Sequence, residues 1–346
     1  MDFAALDSYL DNRAARDIFS GVALITRDGN ELFSGAYGFA SRAWKVPTTV
    51  DTRFDTASVT KLFTAVVSLQ LVEEGLISLD TPVVEYLGLE GTSVDPRANL
   101  GHLLTHTSGI GDDADEEAGE VYADIWRERT SYLVRETEDL LPQFIGRKPN
   151  FPPGQGCRYC NAGYVLTGLM VEKATGRSYR DRVAEHVFEP AGMTGSGFFA
   201  MDIVEPDVAE GADPVDGRWV RNVYSYPPIG SPDGGAHCTA VDLDRFLTTL
   251  RGGGLLGEEW TERFFRPVVE HSDNSEGTLH FGYGLEFQHD HDGGLSYFEK
   301  EGVNAGTSAV LRHYPDRGVT VTLLSNMERG VWEPRRFIHS MIMSTS

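Results

Sequence analysis

Cysteine and lysine are scarce in this chain, and long apolar runs are missing. Three cysteines, Cys157, Cys160 and Cys238, are spread over 346 residues, too few and too odd in number for a disulfide framework. No apolar stretch approaches the roughly 18 residues of a membrane span, so no spanning helix is expected. The N-terminus, MDFAALDSYLDNRAARD, lacks a basic segment followed by an apolar run. It is therefore not a signal peptide, and the chain as it stands reads as cytoplasmic. A mature periplasmic or secreted form has the same appearance. Lysine occurs at five positions, 45, 61, 148, 173 and 300, and the other basic residues are arginine. The 30 Lys and Arg face 52 Asp and Glu, a formal charge of −22. So acidic a surface repels phosphate backbones and anionic bilayers, which argues against nucleic-acid partners.

What is present is an ordinary globular composition, long enough for one large or two interleaved domains. Residues 2–16 read as a helix. Gly21–Ile25 reads as a strand, Asp28-Gly29-Asn30 as a turn and residues 31–39 as a second strand. Residues 58–75 form a helix with Leu62, Phe63, Val66, Leu69 and Val72 on one apolar face, closed by Gly75. Helical pieces follow between Pro and Gly turns, among them Asn161–Ala174, ended by Gly176, and Thr239–Leu250, capped by Thr239. The acidic stretch within 110–140 (GDDADEEAGE) reads as a solvated surface insertion. Strands return at Phe281–Gln288, 295–302, 306–314 and 318–325, and a last helix covers 332–343. Strands at both ends with helices between predict an α+β fold. Its antiparallel sheet is built from both chain ends and flanked by helices, with a mostly helical region inserted. The expected division is 1–57 with 276–346 for the sheet domain and 58–275 for the helical one, with the active site between them.

Three short motifs carry chemistry. Ser58-Val59-Thr60-Lys61 is the one S-x-x-K in the chain. An amine three residues on shares a helical face with the hydroxyl and can take its proton, provided burial beside another cation keeps it partly neutral. Ser58 also sits where a helix begins, which favours developing negative charge. Tyr159-Cys160-Asn161 is the one Y-x-N, offering a hydroxyl to relay a proton and an amide to hold a carbonyl. Lys300-Glu301-Gly302 is the one K-x-G, on a strand where glycine permits close backbone approach. Taken singly, each also fits a plainer role: a helix cap with a surface lysine, a packed tyrosine, an exposed strand end.

Together, in this order and with gaps of about one hundred and one hundred and forty residues, they resemble the serine β-lactamases and penicillin-binding proteins, and most closely the class C branch. Further segments agree: Phe54-Asp55-Thr56-Ala57 before the serine, Leu103-Leu104-Thr105-His106-Thr107-Ser108-Gly109, Gly163-Tyr164, Gly234-Gly235, Tyr314-Pro315-Asp316 and Leu324-Ser325-Asn326. The resemblance implies a β-lactamase/transpeptidase-like fold and a serine hydrolase acting through an acyl-enzyme at Ser58. It makes Lys61 and Tyr159 the proton-transfer pair and Asn161 a substrate-orienting residue. Lys300 becomes a charge that lowers the Tyr159 pKa or binds an anion. Gly302 and Val303 line the substrate strand, and the backbone N–H groups of Ser58 and Val303 form the oxyanion hole. No metal or cofactor is implied, and the partner is a small ester or amide. The alternatives are a β-lactamase, a D-Ala-D-Ala carboxypeptidase or D-aminopeptidase, and a penicillin-binding sensor that does not turn over.

Two departures bear on substrate. Glu301 stands where the family has Thr or Ser, and pointing inward it would repel a substrate carboxylate; pointing outward it would not. Cys160 replaces a Ser or Ala and reads as a small core residue. Other candidates are set aside. Ser272-Asp273-Asn274 reads as a surface turn and His291 as part of a hairpin turn. His102 with His106, and Cys157 with Cys160, His237 and Cys238, read as structural rather than as zinc ligands.

Overall fold

A computed structural model describes residues 1–344. Helix α1 (Phe3–Ala15) starts where the Asp2 carboxylate accepts from Ala5 N and buries Leu6 and Leu10. Strands β1 (Gly21–Arg27) and β2 (Asn30–Tyr37) follow. Asp28 and Gly29 between them have φ of 50° and 77°, the mirror-image turn that suits hairpin twist. Helix α2 (Lys61–Glu73) comes next, then α3 (Asn161–Thr175) and α4 (Ala240–Arg251). Gly176, at φ 64°, ends α3. Thr239 accepts from Asp242 N to open α4. The other strands of the main sheet are β3 (Val269–Asn274), β4 (Gly277–Phe281), β5 (Glu286–His289), β6 (Leu295–Asn304), β7 (Thr307–Tyr314) and β8 (Val319–Ser325), before helix α5 (Trp332–Met343).

These strands form one sheet of eight in the order β2-β1-β8-β7-β6-β5-β4-β3, and each neighbouring pair is antiparallel. The expected sheet from both chain ends is therefore present. Alternation assigns its two faces. Val22, Leu24, Leu311 and Leu324 join α2, α3 and α4 in the larger core. Ala23, Ile25, Val310, Val321 and Leu323 pack with Leu6 and Leu10 of α1 and Ile338 of α5.

Four expectations need correction. Helix α2 has no single apolar face: ten of its 13 residues are buried, because α3 packs on it and the Phe63 ring meets Phe246 of α4. The expected strand 281–288 is interrupted, since Gly284 has φ 83° and Gly282 N donates to Leu285 O. Ser272-Asp273-Asn274 ends the exposed edge strand β3 instead of forming a turn. The acidic stretch is solvated only in part, since Glu116–Glu120 are exposed but the residues before them are not. Asp112 and Asp113 are buried; the Asp112 carboxylate accepts from Asn161 N (2.8 Å) and Ala162 N (2.7 Å), satisfying the orphan donors at the start of α3.

Candidate active site

Ser58 lies on a short 3-10 turn, Ala57–Thr60, that runs into α2. Its i,i+3 spacing to Lys61 keeps the two side chains together in this tighter helix as well. Ala57 has φ 43°, a region unfavourable for a residue with a Cβ, and Ala57 N donates to Asp55 Oδ1 at 2.7 Å. Such backbone strain persists where its surroundings over-determine it. Strand β6 presses on this turn from the other side: a Cβ at Gly302 would lie 2.2 Å from Thr56 O and 2.8 Å from Ser58 N. Glycine is thus required there for close approach, as the sequence suggests.

Lys61 is fully buried. Its Nζ donates to Ser58 Oγ (3.0 Å), Asn161 Oδ1 (2.7 Å) and the carbonyl of Asp233 (2.5 Å). Burial pushes the Lys61 pKa down to about 8; Asp233 opposes this and Lys300 reinforces it. Both conditions asked of a lysine base, burial and a cationic neighbour, are met. Asn161 opens α3, and its Nδ2 donates to Glu116 Oε1 at 3.0 Å. Its amide therefore orients Lys61 here.

Tyr159 closes the cluster. The Lys61 and Lys300 ammonium groups lie 5.1 and 4.7 Å from its ring centroid, and it lines the same recess as Ser58. The expected lowering of its pKa does not occur. Burial, and then Glu116, push it well above the ordinary value. The Lys300 ammonium is instead paired with a carboxylate, because its Nζ donates to Glu286 Oε1 at 2.5 Å. The tyrosine is therefore a protonated phenol at neutral pH. The His106 ring stacks on it at 4.6 Å, and His106 Nδ1 accepts from Cys160 N. Burial, and then Lys300 and Lys61, hold His106 well below its usual pKa, so it is neutral.

Glu301 turns away. It pairs across β6–β7 with Val310, whose side chain belongs to the α1–α5 core, and its carboxylate binds Arg335 of α5. Gly302 borders one end of the cleft, and Val303 borders both. His102 Nδ1 accepts from Asn99 N, and the three cysteines are free thiols. Ser58, Lys61, Tyr159, Asn161 and Lys300 thus converge from the 3-10 turn, α2, α3 and β6.

The sequence reading missed the carboxylates around them. Glu116 holds Asn161, and Glu117 Oε1 accepts from Tyr159 N (2.7 Å) and contacts His271 Nε2 (2.9 Å). Glu286 holds Lys300, and the backbone carbonyl of Asp233 holds Lys61. A run of acids after Ser108-Gly109 was visible, but nothing in its pattern separates a site wall from a solvated loop.

The cleft has two recesses that meet at Ser58. One is lined by Glu116, Tyr122, Tyr226, Pro228 and Asp233. The other is lined by Glu117, Tyr159, His271, Phe281, Glu286 and Lys300. No helix among the described residues is long and apolar enough to cross a membrane.

Penicillin-binding protein 4* of Bacillus subtilis is 28% identical over 338 residues, 93% of this chain and 71% of that protein. Esterase EstB of Burkholderia gladioli is 34% identical over 291 residues, 75% of this chain and 74% of its own length. The crystal structure of a penicillin binding protein from Bacillus halodurans superposes with a TM-score of 0.89 at 35% identity, covering 95% of this chain and 99% of that one. The sequence model described as Beta-lactamase matches residues 6–336, a span that includes the Ser58 turn, the start of α3 and strand β6. The chain belongs to the Beta-lactamase family of serine hydrolases.

Proposed function

We propose that the protein hydrolyses small esters or amides through an acyl-enzyme at Ser58, and that it falls in the branch related to class C β-lactamases. The carrying observation is the buried Lys61 amine, 3.0 Å from Ser58 Oγ, with its pKa pushed down to about 8. In the neutral form Lys61 accepts the Ser58 proton as Oγ attacks the carbonyl carbon. The backbone N–H groups of Ser58 and Val303 receive the developing oxyanion. The protonated Tyr159 gives its proton to the leaving oxygen or nitrogen as that bond breaks, and is reprotonated from Lys61. Water then attacks the ester carbon by the reverse relay and frees Ser58. The motif order supports the class C-related placement. The carboxylates lining both recesses support neutral or cationic substrates over carboxylate-bearing ones such as β-lactams.

The test is intact-protein mass after mixing with a short p-nitrophenyl ester and, separately, a fluorescent penicillin. A transient Ser58 adduct with rapid p-nitrophenol release is expected, and Ser58→Ala should reduce turnover to background. Full turnover by Ser58→Ala would remove the nucleophile from this account. A lasting penicillin adduct without ester turnover would favour a penicillin-binding sensor.

A further inference from the structure

The recess that holds Tyr159 contains a lysine that is not available to an incoming anion. Lys300 Nζ, on β6, donates to Glu286 Oε1, on the neighbouring strand β5, at 2.5 Å, and the two side chains are 2% and 14% exposed. Both residues line the recess beside Ser58 and Tyr159. Among the described residues lining it, Lys300 is the one lysine or arginine, while Glu116, Glu117, Glu286 and Glu301 also line it. Three of these carboxylates have their own donors: Glu116 takes Asn161 Nδ2, Glu117 takes Tyr159 N, and Glu301 takes Arg335 Nη1. The charge balance of the recess therefore turns on the Lys300–Glu286 pair.

The chemistry above says which part of the substrate enters here. The leaving atom must receive a proton as its bond breaks, so it departs beside the group that supplies one. Tyr159 lines this recess and does not line the recess walled by Tyr122 and Tyr226. The leaving group therefore occupies the side where Lys300 and Glu286 stand.

We propose that Glu286 sets leaving-group specificity: by capping Lys300 it excludes leaving groups that carry a carboxylate and admits neutral or cationic ones. This rests on the acyl-enzyme reading of Ser58 and Tyr159. An arriving carboxylate has to share one ammonium with Glu286 or displace it, and displacement strands a mostly buried carboxylate without its partner. A neutral group leaves the pair intact. A cationic group meets Glu116 and Glu117 as well.

The experiment uses phenyl acetates that differ at the para position: 4-acetoxybenzoate, 4-acetoxybenzamide and 4-acetoxy-N,N,N-trimethylanilinium. The natural protein is expected to prefer the amide and the cation to the carboxylate. Glu286→Gln keeps the size and the acceptor oxygen but removes the charge. It should raise the carboxylate-to-carboxamide ratio of kcat/KM by about tenfold or more. Adding Lys300→Met should remove that gain, because the freed lysine is its source. An unchanged ratio in Glu286→Gln, or a gain that survives Lys300→Met, overturns the proposal. If the natural protein hydrolyses none of the three and shows no Ser58 adduct, the acyl-enzyme reading fails instead. Calorimetric binding of the products 4-hydroxybenzoate and 4-hydroxybenzamide to Ser58→Ala, with and without Glu286→Gln, then reads specificity without turnover. A benzamide preference that shrinks in the Gln variant supports the proposal; equal affinities, or no binding by either, overturn it.

Discussion

Lys61 and Tyr159 are pushed by the same cause, burial, with opposite chemical results. Desolvation disfavours the charged form of each, so it leaves more of the amine as the free base and keeps the phenol protonated. For Lys61 the sign is direct. The neutral amine is the active form, and its fraction grows as pH rises through about 8. The kcat/KM for a neutral p-nitrophenyl ester should therefore climb about tenfold per pH unit below that value and level off above it. A flat profile between pH 6 and 9 would exclude Lys61 as the base. In the proposed mechanism Tyr159 donates a proton to the leaving atom, so its importance depends on the leaving group. Tyr159→Phe should cost about a hundredfold or more on an anilide or alkyl ester. It should cost far less on a p-nitrophenyl ester, because p-nitrophenolate departs without a proton. Equal losses on both substrates would assign the tyrosine to activating Ser58 instead.

At the scale of elements, the site depends on how closely strand β6 approaches the turn that carries Ser58. Gly302→Ala places a methyl group 2.2 Å from Thr56 O, and backbone cannot yield there as a flexible side chain would. The strand must move off the turn, taking Val303 with it. A stability loss of about 1–3 kcal/mol is expected from overpacking. An activity loss of a hundredfold or more should accompany it, since misplacement by about an ångström has that effect. Urea melts and ester kinetics on the same preparation separate the two, and unchanged kinetics would deny the contact its role. The same elements show what was legible in the sequence. The hairpins were readable because Asp28-Gly29 and Pro315–Gly318 are turn chemistry. Ser58 and Lys61 were readable because i,i+3 spacing is a local property. The acidic segment was misread because burial of Asp112 depends on the start of α3, some 50 residues later. Glu286 was hidden for a similar reason: its importance comes from its neighbour on β6, and the break at Gly282–Leu285 conceals the start of β5. Local patterns revealed the proposed nucleophile and base, whereas the groups around them are joined only by tertiary contact.

Over the whole molecule the dominant electrostatic fact is the charge of −22. Arginines relieve part of it in exposed pairs such as Arg135–Asp202, Arg147–Glu120 and Arg263–Glu259. Each such pair contributes little, roughly 0–1 kcal/mol, and salt weakens it. The excess negative charge repels itself across the surface, and salt weakens that too, over a screening length of about 10 Å at 0.1 M. The two effects of salt oppose each other, and their sizes decide the sign. Isolated exposed pairs lose only their small contribution, while the unpaired charges lose a repulsion summed over many partners. The melting temperature should therefore rise by about 1–3 °C between about 10 and 500 mM NaCl, since about 1 kcal/mol shifts a chain of this size by roughly 1–2 °C. Sodium chloride is the appropriate salt, because sulfate would add its own exclusion from the protein surface. The same field extends to the cleft, so kcat/KM for a cationic ester should fall over this salt range and that for an anionic ester should rise. Calorimetry and kinetics across one salt series read both. A melting temperature that falls would mean that the arginine pairs act as a network. Ester rates of opposite charge that respond alike would confine the acidic field to the outer surface and leave substrate choice to the groups inside the cleft.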